Sequence, residues 1–348
     1  MRAGFTRVVA VRLSARIEAL PLAEPFVIAR ETTEVAEVVW VELEHDGERG
    51  YGEAAPIDRY DESPQSALAY LEEAAESTGE DPFAIEETMA RLPEREYAAR
   101  AAIDAALHDL CGRVVGMPVW RILGLRRAGP PTSWTIGIGD PDETARKAER
   151  VTGFHGLKLK LGGGDGLDVD RVEAVRRVWP GPIRVDVNEG WGSEDEALDA
   201  LPRLAELGVE YCEQPLPAAA MTESLKERSP IPIYVDENCH TLDDVEACAR
   251  IAHGINVKLA KSGGIREAVR MVHAARALGL GVMLGCMVES GLGIAAGASI
   301  ASLFDHIDLD GNILLREDPW PGVELVDGVQ LPSQSPGLGV RQEVPSPR

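Results

Sequence analysis

The sequence predicts an α/β fold: a (β/α)8-type barrel preceded by an N-terminal α+β capping domain. Three observations predict it. Eight short β-rich runs (WTIGI, HGLKLKL, IRVDV, VEYCEQP, IPIYVDE, INVKLAK, GVMLGC and HIDLD) recur with helical segments between them. Polar residues near the ends of successive runs advance evenly: 26 residues from Lys160 to Asp186, 27 to Glu213, 23 to Asp236 and 25 to Lys261. The first 130 residues follow a different rhythm, strands first and helices after. Strands alternating with helices read as βα units. A doubly wound open sheet is the alternative, but eight even repeats favour closure.

The elements follow in order. Residues 5–19 alternate loosely and predict a strand. EVVWVELEHDGERGYGEAA predicts a hairpin with Asp46-Gly47 at its turn. Residues 62–77 and 83–93 carry helical spacing, and EYAARAAIDAALHDLCGRVVG predicts a long helix. The expected divisions are a cap with its lid loops over 1–130, a catalytic barrel over 131–320, and a segment over 321–348 that returns to the cap.

Composition narrows the function. The chain has 348 residues, 45% hydrophobic and 27% charged, a globular mix of about two domains' length. Its 58 acidic and 35 basic residues give a net charge of −23, which argues against nucleic acid or an anionic membrane as partner. The uncharged run 290–304 has 15 residues, short of the ~20 that span a bilayer. RVVAVRLSARIEAL is broken by arginines and does not read as a signal peptide. The cysteines at 111, 212, 239, 248 and 286 form no CxxC pair. They read as reduced thiols of a cytoplasmic protein.

Lysine use is the sharper signal. Only six of the 35 basic residues are lysine: Lys147, Lys158, Lys160, Lys226, Lys258 and Lys261. Four of these fall in KLK and KLAK. Arginine cannot serve where an amine must give up its proton, so the two clusters are candidates for chemistry.

Barrel active sites lie at the C-terminal ends of the strands. Lys158 and Lys160 are two apart and share one face. Asp186, Glu213 and Asp236 end the next three strands. Lys261 follows the sixth, and Asp308 and Asp310 share a face on the eighth. One such acid alone reads best as a loop residue or helix cap. Three converging carboxylates repel one another, and a hard cation relieves this. Oxygen donors without His or Cys point to Mg2+, with Mn2+ as the alternative. GLGIAAG has the wrong spacing for a dinucleotide loop, and Gly162–Gly164 lack the Lys-Ser/Thr of a phosphate loop. Glu289, past the seventh strand, is a candidate to line the pocket or cap a helix.

With these motifs the sequence resembles the enolase superfamily, its muconate lactonizing subgroup, and within that the dipeptide epimerases. The resemblance runs over about residues 5–340. It rests on YGEAAP, AAIDAALHDL, KLKL, DVNEGW, EQP, VDEN, KLAKSGG, GCMVES, DLDG and PGLGV. Lysine bases beside magnesium are a known pattern of that superfamily. The resemblance implies Lys160 and Lys261 as the acid/base pair, one on each face of the substrate α-carbon. Lys158 would support the enolate and lower the pKa of Lys160. Asp186, Glu213 and Asp236 would hold Mg2+, and Asp308 and Asp310 would bind the ammonium group of a dipeptide. Arg30 and Arg59, in the lid loops, are candidates to meet an acidic substrate side chain.

The implied reaction is epimerisation of a small dipeptide, first of all L-Ala-D/L-Glu, by a cytoplasmic homo-oligomer. A cycloisomerase, an o-succinylbenzoate synthase or an N-acylamino acid racemase would leave Asp308 and Asp310 without a partner. A catalytically silent binding protein would have lost a lysine or a metal ligand, and none is missing.

Overall fold

The computed structural model describes residues 10–343. The first part of the strand expected over 5–19, the start of the RVVAVRLSARIEAL stretch and the last five residues lie outside them. The cap opens with β1 (Arg12–Val27), β2 (Thr32–His45) and β3 (Glu48–Ala54), an antiparallel sheet in that order. The turn between β2 and β3 is Asp46-Gly47, with φ of 49° and 84°. Two successive left-handed residues match the twist of a two-residue hairpin.

Four helices follow: α1 (Pro64–Ala74), α2 (Ile85–Arg91), α3 (Tyr97–Val115) and α4 (Val119–Ile122). Ser63 caps α1, its hydroxyl accepting from Ser66 N at 3.0 Å, with Pro64 in the first turn. The alanines of α3 make it thin enough to lie directly on β3. A Cβ on Gly52 would stand 2.0 Å from the Ala102 carbonyl oxygen, so only glycine admits this approach.

The barrel alternates β4 (Ser133–Ile136), α5 (Pro141–Glu149), β5 (Gly156–Lys160), α6 (Asp168–Val178), β6 (Ile183–Asp186) and α7 (Glu194–Glu206). It continues with β7 (Val209–Glu213), α8 (Glu223–Arg228), β8 (Ile233–Val235), α9 (Val245–Ile251) and β9 (Gly254–Lys258). After β9 comes a single helical turn, α10 (Leu259–Ser262), then α11 (Ile265–Ala277), β10 (Gly281–Gly285), α12 (Gly291–Ala298) and β11 (His306–Asp308). All eight strands are parallel in sequence order. The sheet closes where Thr132 bridges Ile307, and the Thr132 hydroxyl accepts from Leu309 N at 2.8 Å. Every residue of β5 and β9 is buried, as expected of strands covered on both faces.

A hairpin, β12 (Glu324–Val326) and β13 (Val329–Leu331), leads to residues 337–340. These lie against the cap: Gly337 N donates to Met117 O at 3.0 Å, and Leu338 N to Asp109 Oδ1 at 2.6 Å. Cap and barrel are joined by buried carboxylates that accept from backbone amides near helix starts. Glu53 of β3 accepts from Ser290 N at 2.8 Å, just before α12, and from Trp40 Nε1 at 2.8 Å. Asp104 of α3 accepts from Ile265 N at 2.6 Å, at the start of α11. Within the cap, Glu62 does the same for α3 through Tyr97 N and Ala98 N.

Two outcomes follow. Gly52→Ala should lower stability by about 1–3 kcal/mol through overpacking, read from urea denaturation. Burial pushes the Glu62 carboxyl up to about 7, whereas an unfolded glutamate titrates near ~4.3. A folded pKa above the unfolded one gives a contribution present below pH ~4.3 and lost as pH rises through about 7. Glu62→Gln should therefore gain on the wild type in urea midpoint between pH 5 and 8. A pH-independent difference between the two would show that Glu62 is not the group responsible.

Candidate active site

The mouth of the barrel is built from strand ends. β5 carries Lys158 and Lys160 inward; Asp186 and Glu213 end β6 and β7, and Asp236 follows β8 directly. Asp308, the last residue of β11, and Asp310 just past it complete the ring. All five carboxylates are buried, as are Lys158, Lys160, Lys258 and Lys261.

Lysines stand between the acids. Lys158 Nζ lies 3.1 Å from Asp186 Oδ2, 2.7 Å from Glu213 Oε2 and 2.7 Å from Asp308 Oδ2. Lys160 Nζ donates to Asp186 Oδ2 at 2.7 Å and to Asn188 Oδ1 at 3.1 Å. Lys258 Nζ is 2.8 Å from Asp236 Oδ2. Among the described residues, no three acid, imidazole or thiol groups gather closely enough to cage a metal. Glu213 Oε2 has no hydrogen-bond partner. Its contact with Lys158 is an ion pair without hydrogen-bond alignment.

Burial and charge set the protonation here. Burial opposes ionisation of Asp186, but the Lys158 and Lys160 ammoniums outweigh it and hold that carboxyl well below the usual range. Asp236 is held down in the same way by Lys258 and Lys261. Burial and the Asp186 charge push Glu213 up. Burial and Asp308 push Asp310 up. Burial disfavours the charge on Lys158, yet Asp186, Asp308 and Glu213 prevail and hold its proton firmly.

The structure corrects the sequence reading at one lysine. Lys258, not Lys261, lines the mouth cavity with Lys160. The strand ends at Lys258, and the turn of α10 carries Lys261 behind Asp236. There Lys261 Nζ donates to Asp236 O at 2.5 Å, Asp236 Oδ1 at 2.6 Å and Asn256 O at 3.0 Å. Its side chain is 0% exposed, against 10% for Lys258 and 9% for Lys160, so Lys261 cannot meet a ligand in the cavity.

A family model for the mandelate racemase/muconate lactonizing enzyme N-terminal domain matches residues 10–124, and an enolase C-terminal domain-like model matches residues 143–343. The chain belongs to the mandelate racemase and muconate lactonizing enzyme family of the enolase superfamily. An L-Ala-D/L-Glu epimerase of Bacteroides thetaiotaomicron is 38% identical, over 92% of this chain and 85% of its own. A hydrophobic dipeptide epimerase of Roseobacter litoralis is also 38% identical, over 90% and 94%. A crystal structure of an Enterococcus faecalis dipeptide epimerase with Mg and L-Leu-L-Tyr superposes with a TM-score of 0.90 at 31% identity. That match covers 95% of this chain and 99% of the other.

In this member of the family the lid arginines are already engaged. Arg30 Nη1 is 2.6 Å from Glu237 Oε1 and 3.1 Å from the Asn188 carbonyl. Arg59 grips Glu189 twice, at 2.7 and 2.9 Å. Glu289 does not line the mouth cavity. It turns back to accept from Met287 N at 3.0 Å, and Ser290 caps α12 instead.

Several residues escaped the sequence reading. Asn256 donates to Glu213 Oε1 at 2.6 Å, and Asn188 meets Lys160. Gln214 Oε1 accepts from Asp236 N at 2.9 Å and Glu237 N at 3.0 Å, setting the loop after β8. Thr135 N donates to Asp310 Oδ2 at 2.7 Å. Lys258 lay in the KLAK cluster already singled out, and its alternation with Asn256 along INVK is the signal that favours it over Lys261.

Removing Lys261 strips a buried carboxylate of one cation and leaves two carbonyls short of a donor. Lys261→Met should cost about 3–5 kcal/mol in urea denaturation, and Lys258→Met distinctly less, because the Lys258 head faces the cavity.

Proposed function

We propose that this enzyme epimerises the α-carbon of one residue of a dipeptide by 1,1-proton transfer between Lys160 and Lys258. One observation carries the reading: β5 and β9 are four strands apart in an eight-stranded barrel, so the two amines stand on opposite walls of one cavity. A planar carbon between them can lose a proton on one face and regain it on the other. One lysine enters neutral and the other as ammonium. After turnover the two have exchanged states, so charge and protons balance.

Asp308 and Asp310 support a dipeptide over an N-acylated or cyclic substrate. They are buried carboxylates at the cavity wall, placed where a substrate ammonium offsets their repulsion. Lys158 remains an ammonium and stabilises charge that develops on the substrate carboxylate. The cap covers the mouth and excludes water. The dipeptide epimerases among the relatives support the same reaction.

The donor set fits a hard divalent cation, Mg2+ in the first place and Mn2+ by the same chemistry. Asp186, Glu213 and Asp236 would supply its oxygens, although they stand too far apart here to cage it; the buried Glu213 Oε2 has no hydrogen-bond partner and meets only the Lys158 ammonium. When bound, the cation supplies positive charge that acidifies the substrate α-proton. The reading also carries the expectation of a cytoplasmic homo-oligomer.

The test is incubation of the protein and Mg2+ with L-Ala dipeptides in D2O. A one-unit mass gain and the appearance of the epimer are expected, both lost with EDTA and restored by Mg2+. Lys160→Ala and Lys258→Ala should each abolish epimerisation by at least ~1000-fold, in line with the loss of a general base. Each variant should still exchange the one epimer whose proton faces the remaining lysine. Full epimerisation by Lys258→Ala would sink the assignment.

A further inference from the structure

Resting on the dipeptide epimerase reading, we infer that this site selects dipeptides with apolar side chains and discriminates against acidic ones. Three observations meet. First, the cavity wall beyond the catalytic groups carries an apolar set: Phe26, Ile28, Val35, Ile57, Met287 and Leu314 line it. Such a surface rewards an apolar side chain by removing it from water.

Second, the cations an acidic side chain would need are committed elsewhere. Among the described residues lining the cavity, the cations are Arg30, Lys160 and Lys258. The two lysines belong to the reacting centre. Arg30 is bound to Glu237, whose side chain is 0% exposed. Turning Arg30 to a substrate would strand that buried carboxylate, whose other oxygen already lacks a partner. Arg59 does not line the cavity and is held by Glu189, which also accepts from Ala218 N at 2.8 Å. The two arginines thus strap the lid loops to the barrel and act as positioning residues.

Third, the lid side of the cavity carries acids. Glu31, Glu37 and Asp58 line it, and none of the three forms an ion pair among the described residues. An incoming carboxylate would meet like charges on the lid side and no free cation.

The experiment compares kcat/KM for L-Ala-L-Leu, L-Ala-L-Gln and L-Ala-L-Glu with the Mg2+-loaded enzyme. The expected order is Leu above Gln above Glu, with Leu at least tenfold over Glu. L-Ala-L-Glu equal to or better than L-Ala-L-Leu overturns the inference and leaves the epimerase reading intact. Exchange on no dipeptide overturns both. Two variants read the cause. Glu37→Lys should narrow the gap between Leu and Glu, and an unchanged or wider gap counts against the rim acids. Arg59→Met should raise KM for all three dipeptides by similar factors, as loss of a strap would. A loss confined to L-Ala-L-Glu would make Arg59 a side-chain ligand and overturn the inference.

Discussion

Five carboxylates share the buried mouth of this barrel, and nothing there holds unless cations are interleaved with them. Burial alone would protonate these acids. The four lysines answer this, each in contact with at least one acid. The lysines differ in what they are left free to do. Lys158 and Lys261 are sealed by their partners and act as fixed charge. Lys160 and Lys258 are sealed less completely, and each keeps a face to the cavity. One electrostatic constraint thus sorts four chemically identical side chains into two that are sealed and two that face the cavity.

The same device recurs where the cap meets the barrel. Glu53 and Asp104 are buried acids that accept from backbone amides of the barrel. Helix starts offer such amides and a favourable dipole. The arrangement is directional, so it fixes how α3 sits against α11, and β3 against α12, more tightly than apolar contact could. The thin alanine face of α3 and the bare backbone at Gly52 let β3 follow it down. Since the lid loops leave this sheet, the geometry of the lid traces back to these capped helix ends.

The barrel was legible because the spacing of polar residues reports strand ends, and strand ends converge by topology. Asp186, Glu213 and Asp236 were found that way. Lys261 was misread for a related reason. Spacing counts residues along the chain and is blind to the direction a side chain takes when a strand gives way to a helical turn. The step of 25 residues to Lys261 looked as regular as its neighbours, yet β9 stops three residues earlier. Strand alternation from Asn256 would have pointed to Lys258. The engagement of Arg30 and Arg59 was illegible altogether. Their partners Glu237 and Glu189 lie more than 100 residues away, and no local pattern encodes such a pair.

The two straps are not equivalent. Arg59 and Glu189 are partly open to solvent, with side chains 35% and 12% exposed, so water can take over part of what the pair loses on parting. Arg30 holds a carboxylate that has no exposure at all, and stripping a buried charge of its partner costs about 3–5 kcal/mol. The loop carrying Arg59 therefore opens at lower cost than the loop carrying Arg30. Substrate entry past the Arg59 side disturbs only the weaker pair and leaves the Glu237 anchor in place. The first lid loop can then keep its apolar residues in position against the arriving side chain. Selectivity would come from the loop that stays, and access from the loop that moves.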